Sequence, residues 1–111
     1  MLYVLDDGTI QLTRGDTARL STVISNGATG QPYEIRPNDV LTLTVKKTVK
    51  DLEPRFQKTI NGTNVFHILP ADTHALEFGK YVYDVQITTE ASDVYTVIGP
   101  CTFEILKEVT Y

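Results

Sequence analysis

The stretch "LPADTHALEFGKYVYDVQI", residues 69–87, decides the fold because it joins a helical turn to a strongly patterned strand. In its second half, apolar and polar residues alternate with a period of two, which is typical of a β-strand with one buried face. The predicted inward face carries Tyr81, Tyr83, Val85 and Ile87. The same stretch holds one histidine and two carboxylates at its start, so it poses a choice between an active site and a structural corner.

The first half of the stretch favours the structural corner. Pro70 suits the first position of a helix, and Asp72 lies where a carboxylate stabilises exposed N–H groups, so we predict one short helical turn near residues 70–76. Gly79 ends the turn and begins the strand. This order resembles the corner of immunoglobulin-like domains, in which a tyrosine two residues after a glycine donates its hydroxyl to the backbone just upstream. The resemblance implies that Tyr81 is the corner, with Gly79 and Asp72 supporting it, and that Tyr83 stands where antibody domains place a cysteine.

Further alternating runs lie on both sides of this stretch. They are "ARLSTVI" at 18–24, "LTLTVKK" at 41–47, and the shorter "VFHIL" at 65–69 and "FEIL" at 103–106. With turn signals spaced about ten residues apart, this pattern predicts an all-β fold. We expect an immunoglobulin-like antiparallel β-sandwich of about seven or eight strands, forming a single domain over residues 1–111.

Glycine, asparagine and proline pairs mark the predicted turns. Asp7-Gly8 precedes what we take as the first strand, and Ala91–Asp93 turns a strand at 79–90 back as 94–105. Asn61-Gly62 predicts a type I′ hairpin between the runs at 56–60 and 63–68, because that turn needs positive φ at both central residues. Gly99-Pro100 predicts a bulge or a strand that switches sheets, since proline cannot donate to a ladder.

Composition narrows the classes of partner. The chain has a net charge of −4, and nucleic-acid binding requires a basic face, so we expect no nucleic-acid partner. No run approaches the ~20 apolar residues that cross a bilayer, and the N-terminus "MLYVLDDG" has no signal-peptide pattern, so we expect no membrane partner. A lone cysteine, Cys101, excludes an intrachain disulfide.

The residues that most often carry chemistry do not form a recognisable motif. His67 and His74 are the only histidines, and their spacing supplies no tetrahedral zinc set. The serines and Cys101 lack a nucleophile motif, and no phosphate-binding glycine loop occurs. "RGD" at 14–16 is interpreted as a tight turn rather than an adhesion motif. We therefore expect no catalytic residues, no metal site and no cofactor.

The chain as a whole resembles a family of small proteins from tailed phages and prophages of Gram-positive bacteria. The pattern is carried by "IQLTRGDTARLSTVI", "GQPYEIRPNDVLTLTVKKTV", "NVFHILPADTHALEFGKYVYDVQI" and "VYTVIGPCTFEILKEVT". The match covers about residues 9–110 and is also similar to the N-terminal immunoglobulin-like domain of phage baseplate upper proteins. It implies a virion protein made in the bacterial host cytoplasm, without a signal peptide. The chain ends after the last strand, so no receptor-binding function is carried over.

The resemblance leads to a functional hypothesis with an alternative. It implies a noncatalytic structural or assembly module of a phage or prophage tail, baseplate or neck, which docks onto other phage structural proteins and can form a homo-oligomer. The alternative is a carbohydrate- or peptide-binding sandwich directed at the host cell surface. For the interaction surface we select the loop 26–38 with Tyr33 and Ile35, and the terminal strands. The other interpretation of Tyr33 and Ile35, that they close the end of the sandwich, stays open.

Overall fold

A computed structural model describes residues 2–24 and 31–107 of the chain. It is an all-β structure with one short helix. The elements, in chain order, are β1 (Leu2–Val4), β2 (Ile10–Thr13), β3 (Ala18–Ser21), β4 (Val40–Lys46), β5 (Phe56–Asn61), β6 (Val65–Ile68), α1 (Pro70–Thr73), β7 (Gly79–Thr88) and β8 (Val94–Leu106).

The strands form two sheets that enclose one core. The larger sheet has six strands in the order β1-β2-β8-β7-β4-β5, and the smaller sheet pairs β3 with β6. This arrangement confirms the predicted sandwich-like all-β fold with a helical turn after Pro70. All neighbouring strands are antiparallel except β2 and β8, which run parallel with Ile10 opposite Phe103. The expectation of purely antiparallel sheets was therefore wrong for this one pair.

The period-two pattern places the core as predicted. Along β4 the three residues Leu41, Leu43 and Val45 are fully buried, while the threonines between them lie on the outer face. Along β7 the four predicted inward residues are all buried. The smaller sheet covers them with Ala18, Leu20, Phe66 and Ile68. Burial of these aliphatic and aromatic side chains, at roughly 25 cal/mol per Å² of apolar surface, is the main favourable contribution to folding.

The prediction that the first strand follows Asp7-Gly8 was wrong, because a strand precedes this turn. β1 pairs antiparallel with β2, with Leu2 opposite Leu12, so Asp7-Gly8 lies inside a hairpin. The turn is closed by the N–H of Thr9, which donates to the Asp7 carboxylate over 2.9 Å. Because β1 has only three residues, its alternation is too short to be distinguished from a loop.

The predicted hairpin at Asn61-Gly62 was also wrong. The strand before it, β5, pairs with β4 in the larger sheet, whereas the strand after it, β6, pairs with β3 in the smaller sheet. Of the two turn residues only Gly62 has positive φ, at 68°, so the type I′ requirement is not met. The segment therefore crosses from one sheet to the other, with the N–H of Gly62 donating to the Asp39 carbonyl over 3.0 Å.

The last two strands form the long hairpin that was predicted, with a bulge at the expected place. The register between β7 and β8 shifts around Val85, opposite Gly99-Pro100, whose peptide bond is cis. A Cβ atom on Gly99 would lie 2.7 Å from the carbonyl oxygen of Tyr83, so only glycine fits this position. β8 stays in the larger sheet throughout, which leaves the bulge and excludes the sheet switch.

Candidate functional site

The corner at the start of β7 has the expected geometry. The buried Tyr81 donates its hydroxyl to the carbonyl oxygen of Glu77, four residues upstream, over 2.8 Å. The ammonium of Lys47 lies 4.6 Å from the centre of the Tyr81 ring. Burial, together with the charge of Glu77, raises the pKa of the Tyr81 phenol, so the hydroxyl stays protonated and donates. The corner therefore fixes where the chain enters β7 at Gly79.

Asp72 joins the helical turn to the larger sheet. Its Oδ2 accepts a hydrogen bond from the N–H of Leu69 over 2.7 Å and lies 2.7 Å from the Nζ of Lys58 on β5. The first contact caps α1, in agreement with the expected place of Asp72 near exposed N–H groups. The second contact was not predicted. Both contacts are structural, and they leave Asp72 engaged within the fold.

The "RGD" turn braces the same corner. Arg14 donates through Nη1 to the carbonyl of Leu76 over 3.2 Å, and its guanidinium carbon lies 4.3 Å from the centre of the Phe78 ring. The N–H of Gly15 donates to Oγ1 of the fully buried Thr73 over 2.9 Å. The motif therefore connects the end of β2 to α1 and to the segment that follows α1. The arginine side chain contacts that segment.

Tyr33 and Ile35, which we selected for the interaction surface, face inward. Both are half-buried and pack against the hydrophobic core. The hydroxyl of Tyr33 donates to Oδ2 of Asp39 over 2.7 Å. This packing fits the other interpretation, that they close the end of the sandwich. Of the loop 26–38, residues 26–30 lie outside the described residues, as do residues 108–111 at the C-terminus.

Asp39 joins the segments at the end of the molecule that contains Tyr33, and the sequence analysis did not identify it. Its fully buried carboxylate accepts hydrogen bonds from the Tyr33 hydroxyl, from the N–H of Arg36 over 2.9 Å and from the N–H of Glu90 over 3.1 Å. Burial alone would raise the pKa of Asp39, but these hydrogen bonds outweigh it and hold the pKa below its ordinary value. The only sequence signal was an aspartate directly before a strand, which is common in turns.

The polar residues with catalytic potential do not converge. His67 and His74 are both exposed, on β6 and at the end of α1 respectively. Asp72 contacts the core-facing side of β5, whereas Asp84 lines the opposite, outer face of the larger sheet. Within residues 2–24 and 31–107, no group of three or more histidine, cysteine, aspartate or glutamate residues could hold a metal ion.

The outer face of the larger sheet carries a shallow groove of about 320 Å³. The loop between β4 and β5 forms one wall with Val49 and Leu52, whose exposed fractions are 68% and 96%. The floor is polar, with Thr44, Lys46, Gln57, Asp84 and Gln86 among its residues. Tyr83 also lines the groove, but its side chain is buried and its hydroxyl donates to the carbonyl of Gly8. The groove therefore offers hydrogen bonds and an aliphatic wall, without an exposed aromatic ring among its lining residues.

The first half of β8 forms an open sheet edge. Val94, Tyr95, Thr96 and Ile98 pair with β7, and the register shifts around Val85 leave Val97 and Gly99 without a partner there. On the other side of residues 94–99, no strand among the described residues pairs with β8. Val94 and Tyr95 are more than half exposed, at 57% and 56%. Such an edge presents unpaired N–H and C=O groups, which is a template for another strand.

The Asp7-Gly8 turn limits this open edge at its C-terminal end. Sγ of Cys101 lies 3.9 Å from the carbonyl of Asp7, and the hydroxyl of Tyr83 donates to the carbonyl of Gly8. Burial, with a further contribution from Cys101, raises the pKa of Tyr83 to about 12, so this donor stays protonated. From Phe103 onward, β2 pairs with β8 on this side. The open edge (the "β8 edge") is therefore confined to residues 94–99.

Other exposed strand edges are short or carry charge. β1, β3 and β6 have three or four residues each. β5 is longer, with six residues, but it directs Lys58 toward the core side, where the ammonium pairs with Asp72. An inward charge at an edge disfavours pairing with another sheet. The β8 edge has no charged residue between Val94 and Phe103, so charge does not protect it. The bulge opposite Val85 and the proline at Gly99-Pro100 interrupt the edge at its C-terminal end, so the regular part comprises Val94, Tyr95 and Thr96.

Comparison of the chain with protein-family models, with curated proteins and with solved structures gave no match. In the part of the chain that the structure describes, no helix has the length and apolar character needed to cross a bilayer.

Proposed function

We propose that the protein is a noncatalytic structural module of a phage or prophage tail, baseplate or neck, and that it docks onto other virion proteins through the β8 edge. The open, uncharged edge with exposed Val94 and Tyr95 is the observation that supports docking. The phage context rests on the sequence resemblance.

The physical basis of docking is strand addition. An incoming strand would satisfy the unpaired backbone groups of residues 94–99, and side chains on alternate positions would supply apolar contact and specificity. Tyr95 is suited to this role because aromatic side chains contribute large contact areas at protein interfaces. An uncharged edge rich in β-branched residues is an aggregation hazard when it is left open, so a partner that covers it also protects the protein.

The decisive experiment is the composition of purified particles. Particles released from an induced lysogen that encodes the protein are purified by density-gradient centrifugation, and their proteins are quantified by mass spectrometry. We expect the protein in several copies per particle, in constant ratio to the tail components. Its absence from particles that retain intact tails would overturn the virion assignment.

A paired set of variants connects incorporation to the β8 edge. Thr96→Lys places a charge on an exposed position of the edge, and Thr59→Lys places the same charge on an exposed position of β5. We expect Thr96→Lys to reduce the copy number per particle at least several-fold and Thr59→Lys to leave it unchanged. Equal incorporation of both variants would contradict docking through the β8 edge.

Ligand binding is a second candidate, and the groove on the outer face favours it. Its polar floor can hydrogen-bond the hydroxyl groups of a sugar or the backbone of a peptide, and the wall at Val49 and Leu52 can cover an apolar part. Glycan and peptide arrays would test this function. Gln86→Ala changes the floor of the groove, and Tyr33→Ala changes the inward-facing loop away from the groove. Binding that is lost in Gln86→Ala supports the groove; an array without any binding contradicts this candidate.

A further inference from the structure

We propose that Asn61-Gly62 is a site of covalent modification, at which the Asn61 side chain loses ammonia through a cyclic imide, and that the fold sets the rate by holding the backbone nitrogen of Gly62. The site is the crossover between the two sheets, where β5 ends and the chain continues to β6. This inference goes beyond the proposed function, because the reaction needs only water and no partner protein.

The chemistry follows from an asparagine that is followed by glycine. The backbone nitrogen of Gly62 attacks Cγ of Asn61, a new C–N bond closes the imide ring, and the Cγ–Nδ2 bond breaks. The proton of the Gly62 N–H and the electron pair of the broken bond leave with ammonia. Water then opens the imide at either carbonyl, which gives aspartate or isoaspartate at position 61. In isoaspartate the main chain runs through the former side chain and is one methylene longer.

The crossover requires the glycine that makes this pair reactive. Gly62 has a φ of 68°, and a Cβ atom on it would lie 3.1 Å from the carbonyl oxygen of Pro37. Other residues are therefore strained at this position. Glycine also hinders ring closure least, since it has no side chain beside the attacking nitrogen. Both residues of the pair are exposed, so water reaches the imide and ammonia escapes.

Two backbone contacts hold the pair in the folded protein. The N–H of Gly62 donates to the carbonyl of Asp39 over 3.0 Å, and Asn61 pairs with Val40 at the end of the β4–β5 ladder. For the ring to close, the nitrogen must leave its hydrogen bond and turn toward Cγ of Asn61, so the crossover has to open first. The rate in the folded protein is then the rate in an open chain multiplied by the fraction of molecules that are locally open.

The Asp39 site controls this opening. The carboxylate of Asp39 accepts hydrogen bonds from the Tyr33 hydroxyl and from the N–H groups of Arg36 and Glu90, so it fixes the segment whose carbonyl holds Gly62. Loss of these bonds should increase the fraction of molecules in which the crossover is open. The modification of Asn61 therefore reports the integrity of this end of the molecule.

Peptide mapping by mass spectrometry tests the site. The folded protein and the protein in urea are incubated at mildly alkaline pH, and the acid formed at each asparagine is followed over time. In urea, Asn61 and Asn26 should react at similar rates because glycine follows both, whereas Asn64, which precedes the β-branched Val65, should react much more slowly. In the folded protein, Asn61 should react at least about tenfold more slowly than in urea, and both aspartate and isoaspartate should form.

Two variants test the control of the rate by the fold. Asp39→Asn weakens the site beside the crossover, and we expect it to accelerate the reaction of Asn61 in the folded protein by about threefold or more. Tyr81→Phe weakens the opposite end of the larger sheet, at the start of β7, whose other end pairs with Val40 through Thr88. If the opening is local, Tyr81→Phe leaves the rate unchanged.

Each outcome decides the question. An Asn61 that stays unmodified in urea while Asn26 reacts overturns the site. An Asn61 that reacts as fast in the folded protein as in urea overturns the control by the fold. Acceleration by Tyr81→Phe as well as by Asp39→Asn shows that only global unfolding releases the pair, which overturns the local opening, as does an Asp39→Asn variant that reacts at the wild-type rate. Slow reaction in the folded protein, with acceleration in Asp39→Asn alone, supports the inference.

Discussion

Both halves of β8 carry large apolar side chains, but their environments are opposite. In the second half, Phe103 is fully buried and Ile105 is 2% exposed, because β7 and β2 flank them on both sides. In the first half, Val94 and Tyr95 are more than half exposed, although β7 continues along one side. Burial along this strand is therefore decided by the arrival of a second neighbouring strand. Val97 and Ile98 in the first half are half-buried against the core, whereas Val94 and Tyr95 are left more than half exposed in the isolated fold.

The largest effect is expected from Phe103→Ala, which breaks the buried half. Phe103 is fully buried and packs edge-on against Phe56 and Tyr83, with ring centres 5.8 and 6.1 Å away, so its truncation leaves a cavity in the core. We expect a loss of about 3–5 kcal/mol in the free energy of unfolding. The matched variant in the open half, Tyr95→Ala, should cost about 0.5 kcal/mol or less in the monomer. Urea unfolding of both variants measures the difference, and equal losses would contradict the comparison.

The buried half is also the part that sequence reasoning predicted well. The alternation of its neighbour β7 runs over enough residues to fix which face is buried, as Tyr81 and Tyr83 show. The corner could be predicted because its determinants are local: a proline, a glycine and a tyrosine within twelve residues of one another, joined by a hydrogen bond to Glu77. Patterns of this kind need no knowledge of distant partners.

The features that could not be predicted depend on long-range pairing. Asn61-Gly62 signals a reversal of the chain, but a hairpin and a crossover between sheets both need one, and the choice is made by β4 and β3. Asp39 draws its hydrogen bonds partly from Glu90, 51 residues later, so its role is invisible in its neighbourhood. The open edge of β8 follows from where β2 ends its pairing, which no pattern within β8 reveals.

The next largest effect is expected at Asp39. Its carboxylate accepts a hydrogen bond from the N–H of Glu90, which lies just after β7 in the β7–β8 hairpin. Asp39→Asn replaces a carboxylate that accepts three hydrogen bonds with an amide that accepts fewer and introduces donors. Hydrogen bonds to a charged group contribute about 1.5–3 kcal/mol, and we expect a loss of about 2 kcal/mol near neutral pH. Asp6→Asn, at an exposed position, is the matched control and should change the free energy of unfolding by less than about 0.5 kcal/mol.

The pH dependence gives a second measure of the Asp39 site. Because the folded-state pKa of Asp39 is lowered, its ionised form stabilises the fold fully above the unfolded-state pKa of about 3.9. This contribution declines as the pH falls below that value and is lost below the folded-state pKa. The stability gap between wild type and Asp39→Asn should therefore narrow on acidification. Unfolding curves between about pH 2 and pH 7 measure the gap; a gap that is constant or widens toward low pH would refute the role of the charge.

A smaller effect is expected from the corner. Tyr81→Phe keeps the ring but removes the hydrogen bond to Glu77, and a single hydrogen bond contributes on the order of 1 kcal/mol. The melting temperature should fall by about 4 °C, since 1 kcal/mol corresponds to ~4–8 °C in domains of about 60–100 residues and to ~2–4 °C in domains of about 150–250 residues. Tyr3→Phe, on the half-exposed Tyr3 of β1, removes a hydroxyl without such a bond and should leave the melting temperature unchanged. Equal melting temperatures for wild type and Tyr81→Phe would show that the corner bond does not stabilise the fold.

The smallest effect on stability, and a visible effect on association, is expected from Lys58→Val. The ion pair with Asp72 is partly exposed, with 24% and 18% of the two side chains accessible, so its loss should cost less than about 1 kcal/mol. Lys58 is, however, the inward charge that distinguishes the β5 edge from the β8 edge. Without it, β5 becomes a second open edge, and we expect larger species in sedimentation velocity than the wild-type protein forms. Thr59→Val adds a similar side chain on the opposite, exposed face and should leave the size distribution unchanged. If both variants sediment as wild type does, an inward lysine does not protect this edge, and the contrast between β5 and β8 must have another origin.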